Sequence, residues 1–99
     1  MTLRFEWDPV KAAANLRKHG VSFEIAVRAF ADPFALTEQD RIEGGERRWQ
    51  TLGMVEGQVL LLVAHTVRDE DGEAIEIIRI ISARAADRRE RRRYEQEAR

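Results

Sequence analysis

The feature that most constrains this chain is a pair of apolar segments in its second half, Gln58 to Val67 and Ala74 to Ala83. In the second, Ile75, Ile77 and Ile81 alternate onto one side, and Ile78 and Ile80 onto the other. Apolar residues on both sides mark the central strands of a sheet, because only a strand covered twice gains from burying side chains in both directions. Between the two segments, Arg68 to Glu73 holds four acidic residues and a glycine and reads as a hairpin loop. Asp69, Glu70 and Asp71 crowd together there without the spacing of a metal site, which suits solvation. The longest unbroken apolar run, Val59 to Ala64, has six residues. That is far from the ~18–20 needed to cross a bilayer, and no membrane association is expected.

The remaining elements arrange themselves around this pair. Leu3, Phe5 and Trp7 alternate like a short strand. Asp8-Pro9 then supplies an N-cap followed by proline at the first helical position, and Gly20 supplies the stop, which predicts a helix over Val10 to Lys18. Ser22 caps a second short helix, Phe23 to Phe30, in which Phe23, Ala26, Val27 and Phe30 recur at the spacing of a buried stripe. Asp32-Pro33 ends it. Phe34 to Thr37 reads as a short strand, Glu38 to Glu46 as a polar mobile loop around Gly44-Gly45, and Arg47 to Met54 as a strand interrupted by Gly53. From Ala85 onward the chain is helical in propensity with almost no apolar stripe, so arginine stems or a partner must hold that helix in place. The expected fold is α+β: two short N-terminal helices, a small antiparallel sheet and a basic C-terminal helix.

Ninety-nine residues fit one domain, spanning 1–99. The sequence has no cysteine, hence no disulfide framework or thiolate metal site, and its start lacks the layout of a secretion signal, so a cytoplasmic location is expected. The formal net charge of −1 conceals segregation: residues 82–99 carry seven arginines against four acidic residues, and residues 1–81 carry ten Lys or Arg against fourteen Asp or Glu. A basic tail of this kind suits a polyanion or an acidic partner, or else forms a solvated helix of alternating charge.

Several segments together resemble the BrnT-type ribonuclease toxins of bacterial type II toxin–antitoxin pairs. They are Phe5-Glu6-Trp7-Asp8; Asn15 with Lys18-His19-Gly20-Val21; Phe23 with Ala26 and Phe30; Glu46-Arg47; Gly53; and Arg79-Ile80-Ile81-Ser82-Ala83-Arg84 with Arg88, Glu90, Arg91 and Tyr94. The resemblance runs from Phe5 to Tyr94. It implies a fold of the RelE/ParE-like superfamily, RNA cleavage that stops growth, no enzyme cofactor, and a cognate DNA-binding antitoxin through which alone operator DNA is engaged.

Metal-independent RNA cleavage needs a base for the 2′-hydroxyl proton, cations for the charge growing on phosphorus, and an acid for the leaving 5′-oxygen. Histidine suits proton transfer near neutrality, and arginine offers a planar fork to phosphate. His65 shares a strand side with Val59, Leu61 and Val63 and is either a core histidine or a side chain facing a cleft at the sheet edge. Arg79 interrupts the side made by Ile75, Ile77 and Ile81, where a charge needs a partner such as Glu46 or Glu6, or a phosphate. Arg84 sits at the strand-to-helix junction and can reach over the sheet. Tyr94 offers a ring for stacking, a hydroxyl, or simple packing on the sheet. The candidate catalytic set is therefore His65, Arg79, Arg84 and Tyr94. Lys18, His19, Arg68, Arg88, Arg91 and Arg92 are the candidate RNA contacts. Asp87, Glu90, Glu95 and Glu97 interleave the last arginines and narrow the basic surface. The competing reading is a non-catalytic module that binds its antitoxin and nucleic acid, favoured if His65, Arg79 and Arg84 do not converge.

Overall fold

The computed structural model describes residues 2–70, 72 and 74–97. They form, in order, β1 (Thr2–Glu6), α1 (Pro9–His19), α2 (Phe23–Val27) running into a 3-10 turn (Arg28–Ala31), β2 (Leu36–Glu43), β3 (Glu46–Val55), β4 (Val59–Asp69), β5 (Ile75–Ala85) and α3 (Arg88–Glu97). One five-stranded sheet runs β1-β5-β4-β3-β2, with β5 and β4 at its centre as their two-sided apolar pattern requires. No helix among the described residues is long and apolar enough to cross a membrane.

The sheet is mixed, not antiparallel: β1 lies parallel to β5, while the other three pairings are antiparallel. Alternation in Leu3, Phe5 and Trp7 fixes which side of the strand is apolar but not its direction. Direction follows from the neighbour, and β1 pairs with the last strand, to which no tight turn joins it. The expected polar loop over Glu38 to Glu46 is likewise replaced by a hairpin of β2 and β3. Gly44 and Gly45, with φ of 59° and 78°, supply the two left-handed residues of its turn. β2 is an edge strand exposed over nearly its whole length, so nothing requires it to alternate. The second N-terminal helix keeps five α-helical residues, Phe23–Val27, before tightening into the 3-10 turn. Of its stripe Phe23 and Ala26 are fully buried, Val27 and Phe30 pack partly buried against the same core, and Ala29 joins them fully buried. The part of the acidic loop at positions 71 and 73 lies outside the described residues.

The helices cover opposite sides of the sheet. On one side α1, α2 and the 3-10 turn bury Phe23, Ala26 and Ala29 against Val55, Leu61, Val63, Ile78, Ile80 and Ala83. On the other, Tyr94 of α3 packs on Leu52, Leu60 and Leu62, with Leu36, Met54 and Ala86 at the margin. The N-terminus of α3 is closed by reciprocal bonds: Glu90 N–H donates to the Asp87 carboxylate (2.8 Å) and Asp87 N–H donates to that of Glu90 (2.9 Å). α3 fastens at its far end where the Tyr94 hydroxyl donates to Asp32 (2.5 Å), which also accepts from the backbone N–H of Met54 (2.7 Å).

Two local devices set the shape of β5. β1 pairs only with Ile75 to Arg79. Beyond it, the Asn15 side chain of α1 takes the place of a strand, donating to the Ala83 carbonyl (2.8 Å) and accepting from the Ala83 N–H (3.1 Å). The second device is a bulge: Ala64 faces Ser82 and His65 faces Ile80, so Ile81 has no partner on β4. Strict alternation, as read from sequence, aligns Ile81 with Ile77 and Arg79. The extra residue reverses the phase, so Ile80 and Ala83 point into the same core.

Candidate active site: an arginine-lined sheet face

The bulge has a consequence for charge. Positions 79 and 84 differ by an odd number, which in a regular strand sends their side chains to opposite sides. With Ile81 as an extra residue, Arg79 pairs with Thr66 and Arg84 with Leu62, placing both arginines on the side that α3 covers. Only part of that side is covered. Beyond α3 the sheet presents Glu6, Arg68, Arg79, Gln50, Arg48 and Glu46 over the buried Thr66, all even positions of their strands apart from Arg79, whose phase the bulge sets.

Every guanidinium with a short ion pair on this face is held by a carboxylate from another element or a later turn. Arg79, 31% exposed at its side chain, bonds Glu46 (2.5 Å) across the intervening strand β4. Arg68 grips both oxygens of Glu6 (3.0 Å each). Arg84 grips both oxygens of Glu90 (2.9 Å each), and Arg93 of α3 reaches Glu38 on β2 (2.7 Å). The forks shift the acids accordingly. The hydrogen bond from Arg68 holds the Glu6 carboxyl below its ordinary range against a smaller push from desolvation, and the Arg84 bond does the same for Glu90. Glu90 in turn raises Arg84 above the usual guanidinium value. Arg48 sits lower, with its Nε buried and without a hydrogen-bond partner among the described residues.

The other sequence candidates fall elsewhere. His65 is 1% exposed and lies on the opposite side of the sheet, packed edge-on to Phe30 (ring centroids 5.0 Å). Its Nδ1 faces the Thr66 carbonyl at 3.3 Å and its Nε2 the Thr51 hydroxyl at 2.8 Å. A carbonyl only accepts, so Nδ1 carries the proton and Nε2 accepts from Thr51, whose oxygen is 2.8 Å from that of Thr37. Burial pushes the imidazole below its ordinary value, and the Thr66 carbonyl offsets this only in part. His65 floors a pocket of about 390 Å³ lined by Phe30, Trp49, Val67 and Ile78, separated from Arg79 by the sheet itself.

Tyr94 is 9% exposed, and burial followed by its bond to Asp32 pushes the phenol up to about 12. Burial pushes Asp32 upward, but the bonds from Tyr94 and from the N–H groups of Met54 and Phe34 outweigh it and leave that carboxyl low. Lys18 and His19 stand at the exposed end of α1, where with Lys11 and Ser82 they line a small depression of about 220 Å³ against β5. Arg88, Arg91 and Arg92 are exposed on α3. The structure thus brings Arg79, Arg84 and Arg68 to one face, puts Lys18 and His19 at its β5 edge, and does not bring His65 there.

Three site features escape sequence reasoning. Asn15 and Glu46 figure there only as parts of a resemblance or as a possible ion partner. The Asp87-to-Glu90 spacing is itself the signature of a capping box and would have placed the start of α3. No three His, Asp or Glu side chains among the described residues are grouped so as to hold a metal ion.

The comparisons with known proteins agree with this architecture. Residues 7–90 match the family described as the ribonuclease toxin BrnT of type II toxin–antitoxin systems. No curated protein matches the sequence. Among solved structures, the crystal structure of the Brucella abortus ribonuclease toxin BrnT superposes with a TM-score of 0.53 at 19% identity, covering 89% of this chain and 100% of that one. That similarity speaks for the fold. The family match spans most of the sequence, and the chain belongs to the BrnT family of ribonuclease toxins of type II toxin–antitoxin systems.

Proposed function

We propose that this chain is a metal-independent endoribonuclease that arrests growth by cleaving RNA on its arginine-lined sheet face. A cognate DNA-binding antitoxin neutralises it, operator DNA is engaged only through that antitoxin, and the reaction takes place in the cytoplasm. The observation that carries the reading is the shared placement of Arg79, Arg84 and Arg68 on one side of the sheet, Arg79 and Arg68 beyond α3 and Arg84 at its margin, bonded to Glu90. Cleavage without a metal leaves charge stabilisation to cationic side chains, and a guanidinium fork matches the non-bridging oxygens of a phosphate. Arg79 stands at the middle of this face and takes the scissile phosphate. Arg84 and Arg68 flank it and receive its neighbours. Lys18 and His19 at the β5 edge, with Arg88, Arg91 and Arg92 on α3, track the backbone of the bound strand.

In this scheme His65 and Tyr94 support the site instead of transferring protons. His65 is neutral, buried and on the far side of the sheet. The Tyr94 hydroxyl is committed to Asp32. The separation of His65 from the arginines favours a second reading, a non-catalytic module that binds RNA and antitoxin on the same face. Cleavage of RNA by purified protein in the presence of EDTA separates the two. The wild type is expected to cut, and Arg79→Ala to cut at least about 10²-fold more slowly with its fold intact, as for loss of one charge-stabilising donor. A folded wild type that binds RNA but leaves it whole, with and without ribosomes, establishes the binding module.

A further inference from the structure

We propose that Glu46 is the general base of this site, a reading that rests on the RNA-cleaving function proposed above. With His65 across the sheet, the base must come from the carboxylates on the arginine face. Glu90 is occupied at both oxygens by Arg84 and again by the Asp87 N–H. Glu6 is occupied at both oxygens by Arg68. Glu38 serves Arg93 on α3, and its strand β2 is three strands away from β5. Glu46 differs from all three. It crosses over β4 to meet Arg79, the residue placed to hold the scissile phosphate, and bonds it through Oε1 alone at 2.5 Å. Oε2 has no hydrogen bond among the described residues, and the side chain is 47% exposed. A phosphate seated on Arg79 therefore comes to rest beside a carboxylate with one oxygen open to the ribose next to it.

The step balances without a further reagent except water. An Oε2 lone pair takes the proton of the 2′-hydroxyl. The freed electron pair on O2′ forms the P–O2′ bond while Arg79 holds the non-bridging oxygens. The P–O5′ bond then breaks with its pair on O5′, which takes a proton from water at the open face, and the hydroxide so formed takes the proton back from Glu46 and restores the carboxylate. The products are a 2′,3′-cyclic phosphate and a 5′-hydroxyl end. The charged groups around Glu46 are Arg79 on β5, Arg68 on β4, Glu6 on β1, Arg48 on its own strand, and Glu43 directly opposite on β2.

The test compares wild type, Glu46→Gln and Glu46→Asp in single-turnover cleavage of a short RNA with EDTA, from pH 4 to 9, with RNA binding measured in parallel. Glu46→Gln should lose about 10²-fold or more in rate, the lower end of what a positioned base supplies, while keeping its RNA affinity. The acid limb of the wild-type rate profile should vanish in Glu46→Gln, and Glu46→Asp should recover part of both. A purely structural partner of Arg79 would not move the limb. Cleavage by folded Glu46→Gln within about threefold of wild type, with the acid limb retained, overturns the assignment, as do equal rates for Gln and Asp. If the wild type itself leaves RNA whole, the cleavage reading fails with it, an outcome distinct from any variant's behaviour.

Discussion

Gly53 is where β3 meets the 3-10 turn, and its replacement by alanine tests the packing on which one side of the sheet depends. A Cβ built there lies 2.2 Å from the carbonyl oxygen of Ala29, 2.8 Å from its carbon and 2.9 Å from its Cα. All three atoms are backbone, so no side chain can swing away, and ordinary contact requires the turn to retreat by more than an ångström. The turn is not free to do so. Ala29 and Ala26 are fully buried, and Asp32 just beyond holds both the Met54 N–H and the Tyr94 hydroxyl. Overpacking in a close-packed core costs about 1–3 kcal/mol, and a rigid backbone obstacle belongs at the top of that range. The lower chain entropy of alanine returns only about 0.5–1 kcal/mol. A net loss of roughly 2 kcal/mol is expected from a total of about 5–15, lowering Tm by about 8–16 °C in a domain of this size. Thermal unfolding followed by circular dichroism reads this directly. A fall of less than about 3 °C would refute the view that the turn is seated on β3 by backbone contact.

Two further outcomes follow from the buried polar groups. His65 has its proton affinity lowered in the fold, so the unfolded chain protonates first as pH drops below the ordinary value of 6.5. Its contribution to stability is whole above that pH and declines below it, whereas the lowered carboxyls of Glu6, Asp32 and Glu90 begin to lose theirs only near the ordinary carboxylate range. Urea midpoints of wild type should fall between pH 7 and pH 5, and His65→Gln should flatten that fall; an unchanged slope would remove His65 as its source. Asn15→Ala should cost about 3 kcal/mol in denaturant unfolding, because it strips both bonds from the buried Ala83 peptide groups as well as the one to the Val21 carbonyl. Faster amide exchange at Ala83 should accompany it, and a loss under about 1 kcal/mol would mean water replaces the side chain there.

What the sequence made legible tracks how strongly each segment is buried. β4 and β5 are apolar on both sides because both are covered, and their place at the centre of the sheet can be read directly. His65 could be assigned to the side of Val59, Leu61 and Val63, though not which helices close over it. Of β2 only the start, Leu36 and Thr37, is legible as strand, and the rest reads as a loop, since an exposed edge strand leaves little periodic trace. The direction of β1 depends on a partner some seventy residues away in the register Thr2 to Ile75. The bulge at Ile81 is the most costly omission for function, because the shared face of Arg79 and Arg84 depends on it and no residue in Ile80-Ile81-Ser82 announces it. The Arg79 ion pair was foreseeable as a choice between Glu46 and Glu6. Only the fold decides it, by giving Glu6 to Arg68.

The same pairing explains how a basic sheet face can exist in a chain of formal net charge −1. Arg79, Arg84, Arg68 and Arg93 would repel one another and wave freely if bare. Glu46, Glu90, Glu6 and Glu38 fix each fork in a defined direction and cancel its charge while the site is empty. At these exposures such pairs are each worth only about 0–1 kcal/mol, so a phosphate, which also accepts from two donors of a fork, displaces a carboxylate at little cost. The arginines are thus aimed in advance yet weakly held. On the cleavage reading, the phosphate that comes to Arg79 finds Glu46 beside the ribose with Oε2 open, as it is in the empty site. The base is thus in place before the substrate arrives, and the ion pair that neutralises the empty site becomes the acceptor and the clamp of the filled one.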